Sequence, residues 1–170
     1  MKKKFFINVI ISQLNNIDKK NMKEGAKLKN FKGEMTGKKD FDLSDYKGQN
    51  IVIYFYPRDN TPGCTSEGED FRDNYKKFKK KNTQIFGVSK DTIKSHENFK
   101  DKFKFPFDLI SDSDEKICKI FDVIKEKSMY GKKYMGIERS TFLINEEGKL
   151  VKEWRKVKVK GHVEEVLSFL

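Results

Sequence analysis

An α/β sandwich, with a central mixed β-sheet flanked by helices, is the fold class this sequence predicts. Two runs carry that prediction. Ile51-Val52-Ile53-Tyr54-Phe55-Tyr56 and Thr83-Gln84-Ile85-Phe86-Gly87-Val88 are almost continuously apolar and rich in β-branched residues, as strands covered on both faces are. Stretches with apolar residues at helical spacing follow each of them. The 170 residues, 36% hydrophobic with 15 Phe, are enough for one domain with its own core.

The elements follow in order. Lys47-Gly48-Gln49-Asn50 is a turn into the first strand, and Pro57 ends that strand. Phe71, Tyr75 and Phe78 share one face of a helix from about Thr65 to Lys80. Asp91 is placed to cap a second helix through Lys102, with Phe99 and Phe103 inward. Residues 107–110 read as a short strand. Ser113 or Asp114 then opens a helix with Ile117, Ile120, Phe121 and Ile124 inward. Residues 141–144 and Leu150-Val151 flank Asn145-Glu146-Glu147-Gly148 as a hairpin. Lys156-Val157-Lys158-Val159-Lys160 alternates with period two, like a half-exposed strand. Val163, Val166, Leu167 and Leu170 make the stripe of a closing helix. A thioredoxin-like layout fits this order.

No repeat or low-complexity linker follows Lys23, so a single domain is expected over residues 22–170. Residues 1–21 read as an extension, disordered or read from an upstream start. Met-Lys-Lys-Lys followed by Phe5-Phe6-Ile7 looks like a secretory start, which makes export the alternative. The apolar stretch is short, however, holds Asn8 and reaches no small-residue cleavage site. Cytoplasm is the expected compartment.

Charge and composition narrow the function. There are 37 Lys+Arg against 26 Asp+Glu, a net charge of +11, which invites a nucleic-acid or membrane reading. Much of the excess lies in Lys2, Lys3, Lys4, Lys19, Lys20 and Lys23, with Asp18 alone opposing. Lys76, Lys77, Lys79, Lys80 and Lys81 fall at a helix end, where cations complement the dipole. The other lysines are interleaved with acids. A solvated surface accounts for this pattern, and neither nucleic acid nor membrane is expected as a partner. No run approaches the roughly 20 apolar residues that span a bilayer. Two cysteines cannot build a disulfide framework, and with His96 and His162 they match no zinc spacing. No metal or cofactor is expected. His96 on a polar helix face and His162 at a helix start are read as exposed or capping residues.

Pro57-Arg58-Asp59-Asn60-Thr61-Pro62-Gly63-Cys64-Thr65 joins the first strand to its helix. Ligands of open α/β sheets bind beyond the carboxyl ends of strands. A thiol at the helix start there meets unsatisfied N–H groups and the positive end of the dipole, which favour a thiolate. Thr61 is spaced to bring a hydroxyl near the sulfur, Gly63 permits close backbone approach, and the prolines shape the loop. Cys64 is thereby presented as a low-pKa nucleophile, although a lone cysteine taken by itself is most often a small buried hydrophobe.

The stretch Tyr56-Pro57-Arg58-Asp59-Asn60-Thr61-Pro62-Gly63-Cys64-Thr65-Ser66-Glu67 resembles the signature of the peroxiredoxins. Residues 43–48, 129–144 and 157–162 resemble the Q-type, or bacterioferritin-comigratory, subfamily. The likeness covers roughly residues 22–170. It implies a thiol peroxidase on a thioredoxin-like fold, reducing hydrogen peroxide and organic hydroperoxides. Cys64 would be the peroxidatic nucleophile, passing through a sulfenic acid. Thr61 would hydrogen-bond the thiolate and the peroxide, and Pro57 would shield the sulfenate. Arg139 would lower the thiolate pKa and stabilise charge as the O–O bond breaks. Backbone N–H groups of Gly63 and Cys64 would complete the cradle, with Glu67 helping to orient it. Thioredoxin or glutaredoxin/glutathione would recycle the enzyme, which is expected to be a monomer.

The chain departs from the subfamily at one position. Many Q-type members carry a resolving cysteine five residues after the peroxidatic one, where this chain has Glu69. Cys118 is the internal candidate to resolve Cys64; otherwise Cys64 works with an external thiol. Beside the Ile117/Phe121 stripe, on the edge of the apolar face, Cys118 reads first as a half-buried structural thiol. A thioredoxin-like redox adaptor would want a Cys-x-x-Cys pair, which Cys64-Thr65-Ser66-Glu67 lacks. A basic binding or holdase protein without peroxidase turnover is the remaining alternative.

Overall fold

The structure is a computed structural model and describes residues 22–170. The extension expected over residues 1–21 lies outside the described residues. Strands β1 (Lys32–Met35), β2 (Lys39–Asp42), β3 (Asn50–Phe55), β4 (Thr83–Ser89), β5 (Asp108–Ser111), β8 (Ser140–Ile144) and β9 (Leu150–Trp154) form one sheet, ordered β2-β1-β5-β4-β3-β8-β9. β3, β4 and β5 run parallel, and the outer strands pair antiparallel. This is the mixed sheet expected, with the two apolar runs as its central strands. A two-stranded hairpin, β6 (Ile124–Met129) with β7 (Lys132–Ile137), stands apart from it.

Alternation along β3 divides the core. Val52, Tyr54 and Tyr56 face one layer, with Phe71 and Phe78 of α1 (Pro62–Lys80), Phe99 of α2 (Ile93–Phe103) and Val163 and Val166 of α4 (His162–Ser168). Ile51, Ile53 and Phe55 face the other, with Phe31, Phe41, Phe121 and Ile117 and Cys118 of α3 (Lys116–Ile120). The period of two in a strand puts neighbours on opposite faces, so each central strand serves both layers. Gly68 lets α1 pass against Phe105: a Cβ there would stand 2.4 Å from the ring.

Several local expectations are corrected. α1 begins at Pro62, three residues early, because proline suits the first helical turn and Thr61 is extended at the cap. Thr92, not Asp91, caps α2, accepting from Ser95 N–H; Asp91 instead accepts the Asp59 N–H. The helix expected from Ser113 or Asp114 is only the five residues of α3, entered through Glu115 at φ 62°. Asp112 closes its start, accepting from the Ile117 and Cys118 N–H groups. Ile120 is 36% exposed rather than inward, and Ile124 belongs to β6. Residues 156–160 do alternate between exposed and half-buried, but they form no strand. Val157 N–H donates to Arg139 C=O, and Val159 C=O accepts from His162 N–H.

Both histidines are buried, against expectation. His162 Nε2 lies 2.8 Å from Thr141 Oγ1, and its ring meets Trp154 edge-on. Burial pushes its pKa down from 6.5 to about 4. The sign follows from linkage: the neutral ring stabilises the fold above pH 6.5, and that stability is lost as pH falls toward 4. The full window is worth about 3 kcal/mol. His162→Gln is expected to keep a hydrogen bond to Thr141 and to flatten the fall in stability below pH 6.5. Urea midpoints measured from pH 7 to pH 4 check this, and equal falls in both proteins would refute it.

Candidate functional site

Strand register builds the site. β3 ends at Phe55, which pairs with Ser140, the first residue of β8. Arg139, directly before that pair, is thereby brought to the carboxyl end of β3, where the loop to α1 begins. Its carbonyl accepts from Val157 N–H, and the preceding Glu138 N–H donates to Val123 C=O, so the segment is tied on both sides. At Gly63 a Cβ would stand 3.1 Å from Arg139 Nη2, so the missing side chain leaves room for the guanidinium.

Cys64 is the third residue of α1 and is 2% exposed. The first intrahelical bond of α1 runs from Thr65 N–H to Thr61 C=O. The N–H groups of Gly63 and Cys64 precede it, on the side where a helix start is electropositive. Arg139 Nη2 lies 3.4 Å from Cys64 Sγ, and Nη1 lies 3.3 Å from Glu67 Oε1. Glu67, one helical step past Cys64, is fully buried. Burial pushes its carboxyl up to about 7, with Arg139 opposing. Burial works against the guanidinium charge too, but Glu67 and Cys64 hold the Arg139 pKa above its ordinary value.

Cys64, Gly63, Arg139 and Glu67 are therefore together. Thr61 caps the same helix, but its hydroxyl donates to Arg58 C=O at 2.7 Å, and among the described residues the hydrogen bond to the sulfur is Arg139's. Pro57 is half-buried, two residues past the end of β3. Cys118 is elsewhere. It is completely buried, not half-buried, in the layer on the other face of the sheet. Burial, reinforced by Asp112, pushes its thiol well above the ordinary range.

Sequence reasoning missed what fastens the loop. The Asp59 carboxylate accepts from Tyr56 Oη at 2.7 Å and Ser95 Oγ at 2.8 Å, and stands 2.8 Å from His96 Nδ1. His96 Nε2 is 3.0 Å from Ile110 C=O, which only accepts, so this nitrogen carries a hydrogen. Asp59 N–H donates to Asp91. The Asp59, Asp91 and His96 ligand atoms lie within 4.8 Å of one another, a spacing these hydrogen bonds account for. The network joins the loop before Cys64 to α2 and β5. The one signal for it was the adjacent charged pair Arg58 and Asp59 in an otherwise small and polar loop.

Comparison with known proteins agrees with this geometry. Residues 25–153 match the AhpC/TSA family. Peroxiredoxin Bcp of Bacillus subtilis (strain 168) is 57% identical over 128 residues, 75% of this chain and 82% of that protein. Peroxiredoxin Bcp of Xanthomonas campestris is 54% identical over 136 residues, 80% and 85% of the two chains. Among solved structures, the trapped intermediate/ligand complex of the Xanthomonas campestris Bacterioferritin Comigratory Protein, concerned with its alkyl peroxide reduction activity, superposes with a TM-score of 0.78 at 51% identity. It covers 82% of this chain and 88% of that one. A PrxQ cysteine-to-serine mutant of Xylella fastidiosa superposes with a TM-score of 0.83 at 48% identity, covering 87% and 94%. Identity of this order, over most of both partners and on the same sheet, decides the matter: the chain belongs to the AhpC/TSA family, among the Bcp/PrxQ peroxiredoxins, which are thiol peroxidases.

Proposed function

We propose that Cys64 is the peroxidatic residue, reducing hydrogen peroxide and organic hydroperoxides and becoming a sulfenic acid that an external thiol returns to the thiolate. The observation that carries this reading is the Arg139 guanidinium 3.4 Å from Cys64 Sγ at the first turn of α1. Sulfur attacks the terminal peroxide oxygen, and negative charge develops on the departing one. Arg139 and the N–H groups of Gly63 and Cys64 are fixed donors for that charge, needing no reorganisation as it forms. The Thr61 proton is committed to Arg58 C=O, so its oxygen is free to accept from the peroxide O–H. Pro57 shields the sulfenate from water. The alkyl peroxide reduction of the Xanthomonas protein supports organic hydroperoxides as part of the substrate range.

Thioredoxin or glutaredoxin/glutathione is the reductant in this reading. The placement of Cys118 on the far face of the sheet, in a fully packed layer, favours a donor from outside the chain. The two cysteines replaced by serine in the Xanthomonas campestris Peroxiredoxin Q mutants stand closer together in sequence than Cys64 and Cys118 do. We infer a cytoplasmic monomer, in keeping with a thiol-driven cycle; among the described residues no helix is long and apolar enough to cross a membrane.

Intact mass after one equivalent of peroxide tests the cycle. The expected result is one added oxygen, with turnover restored in parallel assays with thioredoxin, glutaredoxin/glutathione or dithiothreitol. Cys118→Ser is expected to keep wild-type turnover. A loss of two hydrogens in place of oxygen gain, abolished by Cys118→Ser, would make Cys118 the resolving residue. No change in mass would refute the peroxidase assignment of Cys64.

A further inference from the structure

One guanidinium in this site faces two acidic groups. Arg139 bonds Cys64 Sγ through Nη2 and Glu67 Oε1 through Nη1. Glu67 is fully buried, and among the described residues its other oxygen, Oε2, has no hydrogen-bond partner. An ionised carboxylate left that way loses the solvation of that oxygen, a cost that protonation relieves. The surrounding groups add little to offset a charge. Tyr54 of β3 carries a buried hydroxyl, unpartnered among the described residues, that burial keeps un-ionised. Asp70 on α1 adds negative charge. Lys127 of β6 faces Cys64 and Arg139, and His162 at the start of α4 faces Arg139 with its ring held neutral by burial. Arg139 is thus the cation that the sulfur and the carboxyl share.

We propose that Glu67 is the proton store of the site, protonated while Cys64 is a thiolate and ionised once the sulfur is a sulfenic acid. The inference rests on Cys64 being the peroxidatic sulfur and deepens that reading. Thiolate and carboxylate compete for one cation, so the formation of one disfavours the other. In the forward step the sulfur–oxygen bond forms and the O–O bond breaks. Sulfur is oxidised by two electrons, the peroxide is reduced by two, and the electron pair leaves on the alkoxide. The alkoxide gains one proton to become the alcohol, and Glu67 yields one, because neutral sulfenic acid no longer competes for Arg139. In the return step two donor thiols become a disulfide, water leaves, and the proton of the restored Cys64 thiol passes to Glu67. Glu67 acts through Arg139 and is a positioning residue for charge rather than a group in contact with peroxide.

Infrared difference spectroscopy of the full chain, reduced against oxidised with one equivalent of hydrogen peroxide, reads the carboxyl directly. The reduced protein is expected to show the C=O stretch of a protonated carboxylic acid, which disappears on oxidation. That band is expected to move when glutamate is labelled with carbon-13 and to be absent from Glu67→Gln. In stopped-flow, Glu67→Gln is expected to lower kcat/KM about 10²-fold and to lose the inflection near pH 7. A purely structural role would lower the rate evenly across pH. Intact mass on the same samples separates the two readings. No oxygen gain at Cys64 overturns the peroxidase assignment, and this inference with it. Oxygen gain without loss of a glutamate-sensitive band overturns the proton store alone, and the isotope arm decides this without any substitution.

Discussion

Cys64→Ser is expected to bring peroxide consumption down to the buffer background. A serine hydroxyl at this position has no accessible anion at neutral pH, and oxygen does not attack a peroxide as sulfur does, so the first bond of the cycle is never made. The fold should survive. Cys64 is 2% exposed, but its neighbour is a guanidinium that can donate to the serine oxygen as it does to the sulfur, so the cost is about 1 kcal/mol. Peroxide consumption with a thiol donor, beside a urea midpoint, checks both halves. Wild-type turnover in the folded variant would sink the assignment of the site.

Arg139→Ala is the next largest effect. Removing a fixed donor aimed at developing charge costs about 10²–10³-fold in rate, and here the same change also strips Glu67 of its counter-charge. The expected result is a fall of that size in kcat/KM. Stability carries a second signature. Burial raises the Glu67 carboxyl from 4.5 to about 7, so its contribution is complete below pH 4.5 and is lost as pH rises through 7. That window amounts to about 3 kcal/mol. Without Arg139 the carboxyl rises further, and the loss of stability extends to higher pH. Arg139→Lys is expected to restore charge but little rate, because an ammonium cannot fork between two acceptors as the guanidinium does. Rates and unfolding midpoints across pH 5–9 check the pair, and an Arg139→Ala protein with unchanged rate would refute the role.

Legibility differed from element to element. The central strands were readable because Ile51–Tyr56 and residues 83–88 are apolar on both faces, and that pattern follows from their place in the middle of a sheet. Strands β1 and β2, at one end of the sheet, were not read, and neither was the β6–β7 hairpin. Lys132, Lys133, Tyr134 and Met135 are exposed, and a hairpin with little to bury leaves little periodicity to read. Its turn at Tyr130 and Gly131, both at positive φ, was the available sign. His96 was misread because its own helix face is polar in sequence; the Asp59 carboxylate and the Ile110 carbonyl that satisfy it come from two other segments.

By itself the sequence determined the candidate nucleophile and the loop that presents it and, through likeness to a family, the kind of chemistry. Each is local: a thiol, a glycine and two prolines at a strand-to-helix junction are written within nine residues. It also placed Arg139 in the site, but through likeness to a family, since nothing near Arg139 sets it apart from other cations. What only the tertiary structure decided is which distant groups share that site. The pairing of Phe55 with Ser140 turns an arginine 75 residues away into the partner of the sulfur. The packing of α3 against the opposite face of the sheet puts Cys118 behind it. Dense packing around α1 leaves Glu67, among the described residues, with one partner for two oxygens. Burial and charge competition depend on three-dimensional neighbours, and for that reason the protonation of this site was not readable from the order of residues.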